Sequence, residues 1–171
     1  DISVESSAWN SPPESLRPQF DAYVCWYETY VEKTVAVEQF VLGQGYAGRM
    51  DHLALLKDGR LAVCDVKTQA LSGKKKSFNY YSNWALQLGA YAGALPSSAD
   101  VLMSVVVSST EPVVLEAYAW PKPPSYYHGL FLGLLAIWNE ENNYWPIVQP
   151  IPTDERTDGF VYIGTLSGVC A

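Results

Sequence analysis

The stretch from Met50 to Lys67 leaves the backbone few choices. Leu61-Ala62-Val63-Cys64 and Val66 make a nearly continuous apolar run, the pattern of a strand covered on both faces. Lys57-Asp58-Gly59-Arg60 just ahead of it reads as a hairpin turn, and Gly45 to Asp51 leads into the partner strand. A hairpin of which one strand is covered on both sides needs helices above and below it. That requirement selects a layered α/β domain.

Side chains alternate along a strand, so Asp65 and Lys67 project from one face, and the hairpin brings Asp51 beside them. Charges at the end of an apolar strand are costly unless they have a partner or a task. Two carboxylates and an amine in one pocket suit phosphodiester hydrolysis. Carboxylates hold divalent ions, the ion activates water, and an ammonium offsets charge growing on phosphate oxygens. The same Asp-x-Lys spacing also fits a solvent-facing pair, and spacing alone leaves both readings open.

Around this hairpin the rest of the chain supplies the layers. Residues 1–16 are Ser- and Pro-rich and are expected to form a loop; Asp1 in place of an initiator Met leads us to expect that an upstream segment has been removed. Leu16 to Glu32 carries Phe20, Val24, Tyr27 and Val31 at helical spacing. Thr34 to Leu42 is β-branched and apolar, with Glu38 in its midst, and is expected to pair with the Asp51 strand. Asn79 to Ala94 reads as a helix ending before Pro96, and Val101 to Ser109 and Val113 to Trp120 as strands. Ser125 to Asn143 is expected to be an amphipathic helix with the stripe Tyr127, Leu130, Phe131, Leu134 and Trp138. Residues 144–171 are broken by prolines, with one short strand expected at Phe160 to Ile163. No repeat or linker interrupts the 171 residues, so one domain is expected.

Composition narrows the partners. A net charge of −7 argues against a protein that coats nucleic acid indiscriminately. The cations are uneven, however: Lys57, Arg60, Lys67, Lys74, Lys75 and Lys76 gather near the hairpin, while acids weight the last third. The Lys74-Lys75-Lys76 run is either a solvated loop or a substrate contact. Cys25, Cys64 and Cys170 show no metal-type spacing and read as reduced thiols of a cytosolic protein, Cys64 in the core. No long apolar span or lipidation motif appears, so no membrane partner is expected.

Gln87 and Tyr91 are four apart and share one helical face. Together, Gly48-x-x-Asp51, Asp65-Val66-Lys67-Thr68 and Gln87-x-x-x-Tyr91, in that order and spacing, resemble the PD-(D/E)XK nuclease superfamily. The likeness is to its RecB-like branch of phage and mitochondrial genome-maintenance exonucleases. It covers residues 17–120, and Glu38-Gln39-Phe40-Val41 followed by Gly45 to Asp51 is similar to the phage members. The resemblance implies a restriction-endonuclease-like core, a central mixed β-sheet flanked by helices in α-β-β-β-α-β order.

It implies further that Asp51, Asp65 and the Val66 backbone carbonyl hold Mg²⁺ or Mn²⁺, and that Lys67 orients the attacking water. Gln87 and Tyr91 would assist the site, Glu38 would take a possible metal or water-positioning role, and Arg49, Lys74, Lys75, Lys76 and Tyr91 would contact DNA. For Glu38 the residues allow an equal alternative, an ion pair with Arg49 or a lysine. A metal-dependent exonuclease of phage-type replication or recombination, working in the host cytoplasm with a replication or recombination protein as partner, is the expected function. The alternative is an inactive nuclease-fold module for DNA binding or assembly. The family usually places a histidine ahead of the first strand; here only His52 and His128 occur. His52 is expected to face away from Asp51, and His128 to lie far from the motifs.

Overall fold

The computed structural model describes residues 12–71 and 77–146. After a 3-10 turn at Glu14–Leu16, helix α1 runs Arg17–Tyr30. Pro18 sits in its first turn, where its missing N–H costs nothing, and the helix ends where Val31 turns extended to begin the next strand. Three strands follow, β1 Val31–Gly43, β2 Tyr46–Leu56 and β3 Leu61–Gln69; then come α2 Ser82–Gly93, β4 Val101–Ser108, β5 Leu115–Ala119 and α3 Pro124–Asn142. The five strands form one mixed sheet in the order β1-β2-β3-β4-β5, with only the β3–β4 pair parallel. Helices flank it in the expected order.

Two glycines make the tight reversals possible. Gly45 between β1 and β2 and Gly59 between β2 and β3 have φ of 83° and 87°, left-handed values that side-chain-bearing residues resist. The Gly45 turn extends β2 back to Tyr46, so residues 46–50 are strand and not merely a lead-in.

The hydrophobic core lies on both sides of the sheet. Ala54, Leu56, Ala62, Cys64, Met103 and Val105 pack with Trp26 of α1; Met50, Leu53, Val63 and Leu102 pack with Ala85 and Leu88 of α2 and Tyr127 of α3. Each fully buried large apolar side chain contributes about 1.5–3 kcal/mol. The expectation for β3 holds from Ala62 to Asp65, all buried, and the neighbouring β4 is buried along its whole length. Burial pushes the Cys64 thiol up to about 12, which keeps it a neutral core residue.

Helix α3 departs from expectation. Of its stripe only Tyr127 is buried and Phe131 partly so, whereas Leu130, Leu134 and Trp138 are each about half exposed. The reason is where α3 meets α2. A Cβ on Gly89 or Gly93 would come within 2.7 Å of Tyr127 and 2.4 Å of the His128 ring, so the small residues of α2 seat the first turns of α3 closely. Farther along, no described element covers the stripe. The strand expected at Phe160 to Ile163 lies outside the described residues, as does Cys170.

Candidate functional site

The hairpin of β2 and β3 is paired over only four positions, from Leu55↔Leu61 to His52↔Cys64. Beyond that last pair the two strands part. Asp51 stands at the fork, and its Oδ2 accepts a 2.9 Å hydrogen bond from the Val66 backbone N–H. The carboxylate therefore replaces the ladder bond that β2 no longer makes, which satisfies an amide at the separation and fixes the acid beside β3.

Across the fork, Asp65 is 1% exposed. Lys67, two residues on and so on the same face, donates from Nζ to Asp65 Oδ1 at 2.9 Å. Its ammonium is also 2.7 Å from the buried Oδ2, so one cation serves both oxygens of the carboxylate. Loss of water raises the Asp65 pKa; the Lys67 ammonium opposes that shift and the Asp51 charge adds to it. Burial is the larger influence, because an almost fully enclosed carboxylate has lost its hydration and gained one cation.

Asp65 and Lys67 thus share one face of β3, as side-chain alternation requires, and Asp51 lies near enough for its charge to act on Asp65. Carboxylate oxygens are hard donors, and Mg²⁺ is commonly held by one or two protein carboxylates with water filling the rest. Lys67 faces both oxygens of Asp65, so an ion here would share that carboxylate with the ammonium, and the acidic oxygen donors are of the type such an ion takes. Among the described residues no group of three or more His, Cys, Asp or Glu side chains is placed to hold a metal. Glu38 therefore does not complete a three-acid cluster with Asp51 and Asp65.

Glu38 is engaged elsewhere. Its Oε2 lies 2.6 Å from Arg49 Nε, both side chains are about half exposed, and the Arg49 guanidinium sits 5.8 Å from the Phe40 ring centre. Its φ of 52° is left-handed, at a point where the β1–β2 register would set it opposite Asp51. Arg49, expected at DNA, is taken up by this pair. Lys74, Lys75 and Lys76 lie outside the described residues.

Helix α2 lines a neighbouring cleft. Gln87 Nε2 donates to Tyr91 Oη at 2.7 Å, so the two share a face as their spacing requires. With Tyr46, Gly48 and Phe131 they line a cleft of about 280 Å³, which Asp51, Asp65 and Lys67 do not line. Gly48 is needed there: a Cβ would lie 2.4 Å from Tyr91 Cε1.

The histidines part company. His52 is buried against α1, its Nδ1 3.3 Å from Tyr23 Oη and its Nε2 3.1 Å from Thr34 Oγ1. It faces away from the acids as expected, and burial lowers its pKa while the Asp51 charge opposes the shift. The Tyr23 phenol is pushed up to about 12, chiefly by burial. His128 is a correction. It was expected far from the motifs, but α3 folds back on α2 and sets its Nε2 3.1 Å from Tyr46 Oη at the cleft, while that hydroxyl donates to the Ala90 carbonyl.

Sequence reading also passed over the aromatic rim. Tyr80 stacks on Tyr118 with centroids 4.3 Å apart and donates to Glu116 Oε2 at 2.7 Å; Trp120 Nε1 donates to Ser104 Oγ at 3.1 Å. The β3–β4–β5 registers align Asp65, Ser104 and Tyr118 in one row and Lys67, Val106 and Glu116 two rows on, on the same face. The density of rings in Tyr80-Tyr81-x-x-Trp84 was the available signal.

No known family model matches this chain. No curated protein matches it either. Among solved structures it is similar to the crystal structure of a protein from Eubacterium rectale named as a candidate exonuclease, at 10% identity and a TM-score of 0.45. The likeness covers 88% of this chain and 63% of that one, so this chain spans less than two thirds of its length. Overlap that loose assigns neither fold family nor activity.

Proposed function

We propose that the chain is a single nuclease-like domain of PD-(D/E)XK type that hydrolyses DNA phosphodiester bonds with Mg²⁺ or Mn²⁺, most simply as an exonuclease. One observation supports this reading: Asp51 is held on the Val66 amide where β2 and β3 part, next to Asp65 with the Lys67 ammonium on its buried carboxylate. A divalent ion held by Asp51, Asp65 and the Val66 carbonyl would supply Lewis-acid polarisation of the phosphate and a nucleophilic water. The Val66 amide keeps Asp51 in place. Asp65, enclosed and stripped of hydration, would gain more from a second cation than a solvated acid does. Lys67 would hold the attacking water and offset charge on the phosphate oxygens. Gln87 and Tyr91, tied to each other, shape the neighbouring cleft.

The second reading is a nuclease-fold module without catalysis, for DNA binding or assembly. What favours it is the two-acid donor set, with Glu38 spent on Arg49. End-labelled single- and double-stranded DNA, incubated with Mg²⁺, with Mn²⁺ and with chelator, separates the two. Ion-dependent degradation supports the enzyme, and intact DNA under all conditions sinks it.

A further inference from the structure

We infer that Tyr81 and Trp84 form a stacking platform for a base of single-stranded DNA, set directly beside Lys67. The inference rests on the reading of Asp51, Asp65 and Lys67 as a phosphodiester site, and it names the form of DNA that site receives. Tyr81 immediately precedes α2 and Trp84 lies in its first turn, their ring centroids 5.2 Å apart and nearly perpendicular at 73°. The Lys67 ammonium is 6.0 Å from the Trp84 ring centre. A cation over one ring and an open second ring therefore adjoin the paired acids.

Tyr81 is 50% exposed although its ring is large and apolar. It is also held in place. Gln69, at the end of β3, both accepts from the Asn79 N–H at 3.1 Å and donates to the Asn79 carbonyl at 2.7 Å, and the Asn79 side chain donates to Tyr81 Oη at 3.0 Å. A ring kept rigid and uncovered loses little freedom when another flat group packs against it.

Charge and shape select the occupant. A nucleotide presents a flat π-face and, one backbone link away, an anionic phosphate; the rim presents an open ring and, beside it, the Lys67 ammonium. Stacking of this kind is indifferent to base identity and contributes strongly per base. In duplex DNA every base face except those of the terminal pairs is stacked on a neighbour, so an unpaired base reaches Tyr81 more readily than a duplex does.

The test is binding by the full chain in chelator, where no cleavage can occur, read by fluorescence anisotropy of labelled oligonucleotides. The probes are a single-stranded oligothymidylate, an abasic strand of equal length and a blunt duplex. We expect the oligothymidylate to bind best, and Tyr81→Ala and Trp84→Leu each to weaken it by about tenfold while leaving the abasic strand unaffected. Trp84→Phe, which keeps a ring, should restore most of the loss, and Tyr81→Ala removes an exposed ring without touching the core. Equal binding of abasic and base-bearing strands, or no effect of either substitution, overturns the platform. Base-dependent binding by a chain that degrades no DNA with Mg²⁺ or Mn²⁺ keeps the platform and removes the catalytic reading. Cleavage with base-independent binding does the reverse.

Discussion

Two acid–base pairs of nearly equal length stand on this sheet in opposite surroundings. Lys67 Nζ is 2.7 Å from Asp65, whose side chain is 2% exposed; Arg49 Nε is 2.6 Å from Glu38, whose side chain is 51% exposed. The distances are alike, but water screens the Glu38–Arg49 pair and hydrates each partner when they separate. Asp65 has no such refuge, so its charge depends on Lys67 or on another cation brought beside it. The difference teaches that burial, more than contact length, makes one pair a candidate for chemistry and the other a surface clasp on the β1–β2 hairpin.

The sharpest break of this comparison is in activity. Under the nuclease reading Asp65→Asn should lower DNA cleavage by on the order of a hundredfold or more, and Glu38→Gln by no more than about threefold, in single-turnover assays at saturating Mn²⁺. Equal losses in the two would place Glu38 in the site with Asp65. Stability should divide the pairs in the same direction. Lys67→Ala strands a buried carboxylate and is expected to destabilise the fold by about 2 kcal/mol, short of the roughly 3–5 kcal/mol for a fully enclosed pair because Lys67 itself is partly exposed. Arg49→Ala should cost under about 1 kcal/mol; urea unfolding of both variants decides.

A smaller effect sharpens the picture at the neighbouring cleft. Gly48→Ala drives a methyl into Tyr91 and should cost about 1–2 kcal/mol by urea unfolding, with loss of the Gln87–Tyr91 hydrogen bond. Unchanged stability would show that Tyr91 yields freely.

The smallest expected effects are the pH slopes. Asp65 titrates above its ordinary 3.8 when folded, so its contribution is fully present below 3.8 and is lost as pH rises through the folded value. His52 titrates below its ordinary 6.5, so its contribution is present above 6.5 and is lost as pH falls toward the folded value. Each slope is at most about 1.4 kcal/mol per pH unit. Melting curves of Asp65→Asn should lack the first slope and those of His52→Gln the second. A mutant that keeps its slope assigns it to another group.

The sequence by itself determined the order of elements, the Lys57–Arg60 hairpin, and the shared face of Asp65 and Lys67. Those follow from local rules: a period of two along a strand, a period near 3.6 along a helix, and glycine where the chain must turn. Even the pairing of Gln87 with Tyr91 was legible, because four residues on a helix make one face. Tertiary structure alone decided the rest. That Asp51 would caps the Val66 amide depends on where β2 and β3 stop pairing, which no local pattern encodes. That Glu38 would turn left-handed and take Arg49 depends on the β1–β2 register, and that α3 would bring His128 to Tyr46 depends on glycines in a different helix. The exposed stripe of α3 has the same cause: periodicity shows which face of a helix is apolar, but only the packing of other elements determines whether that face is covered.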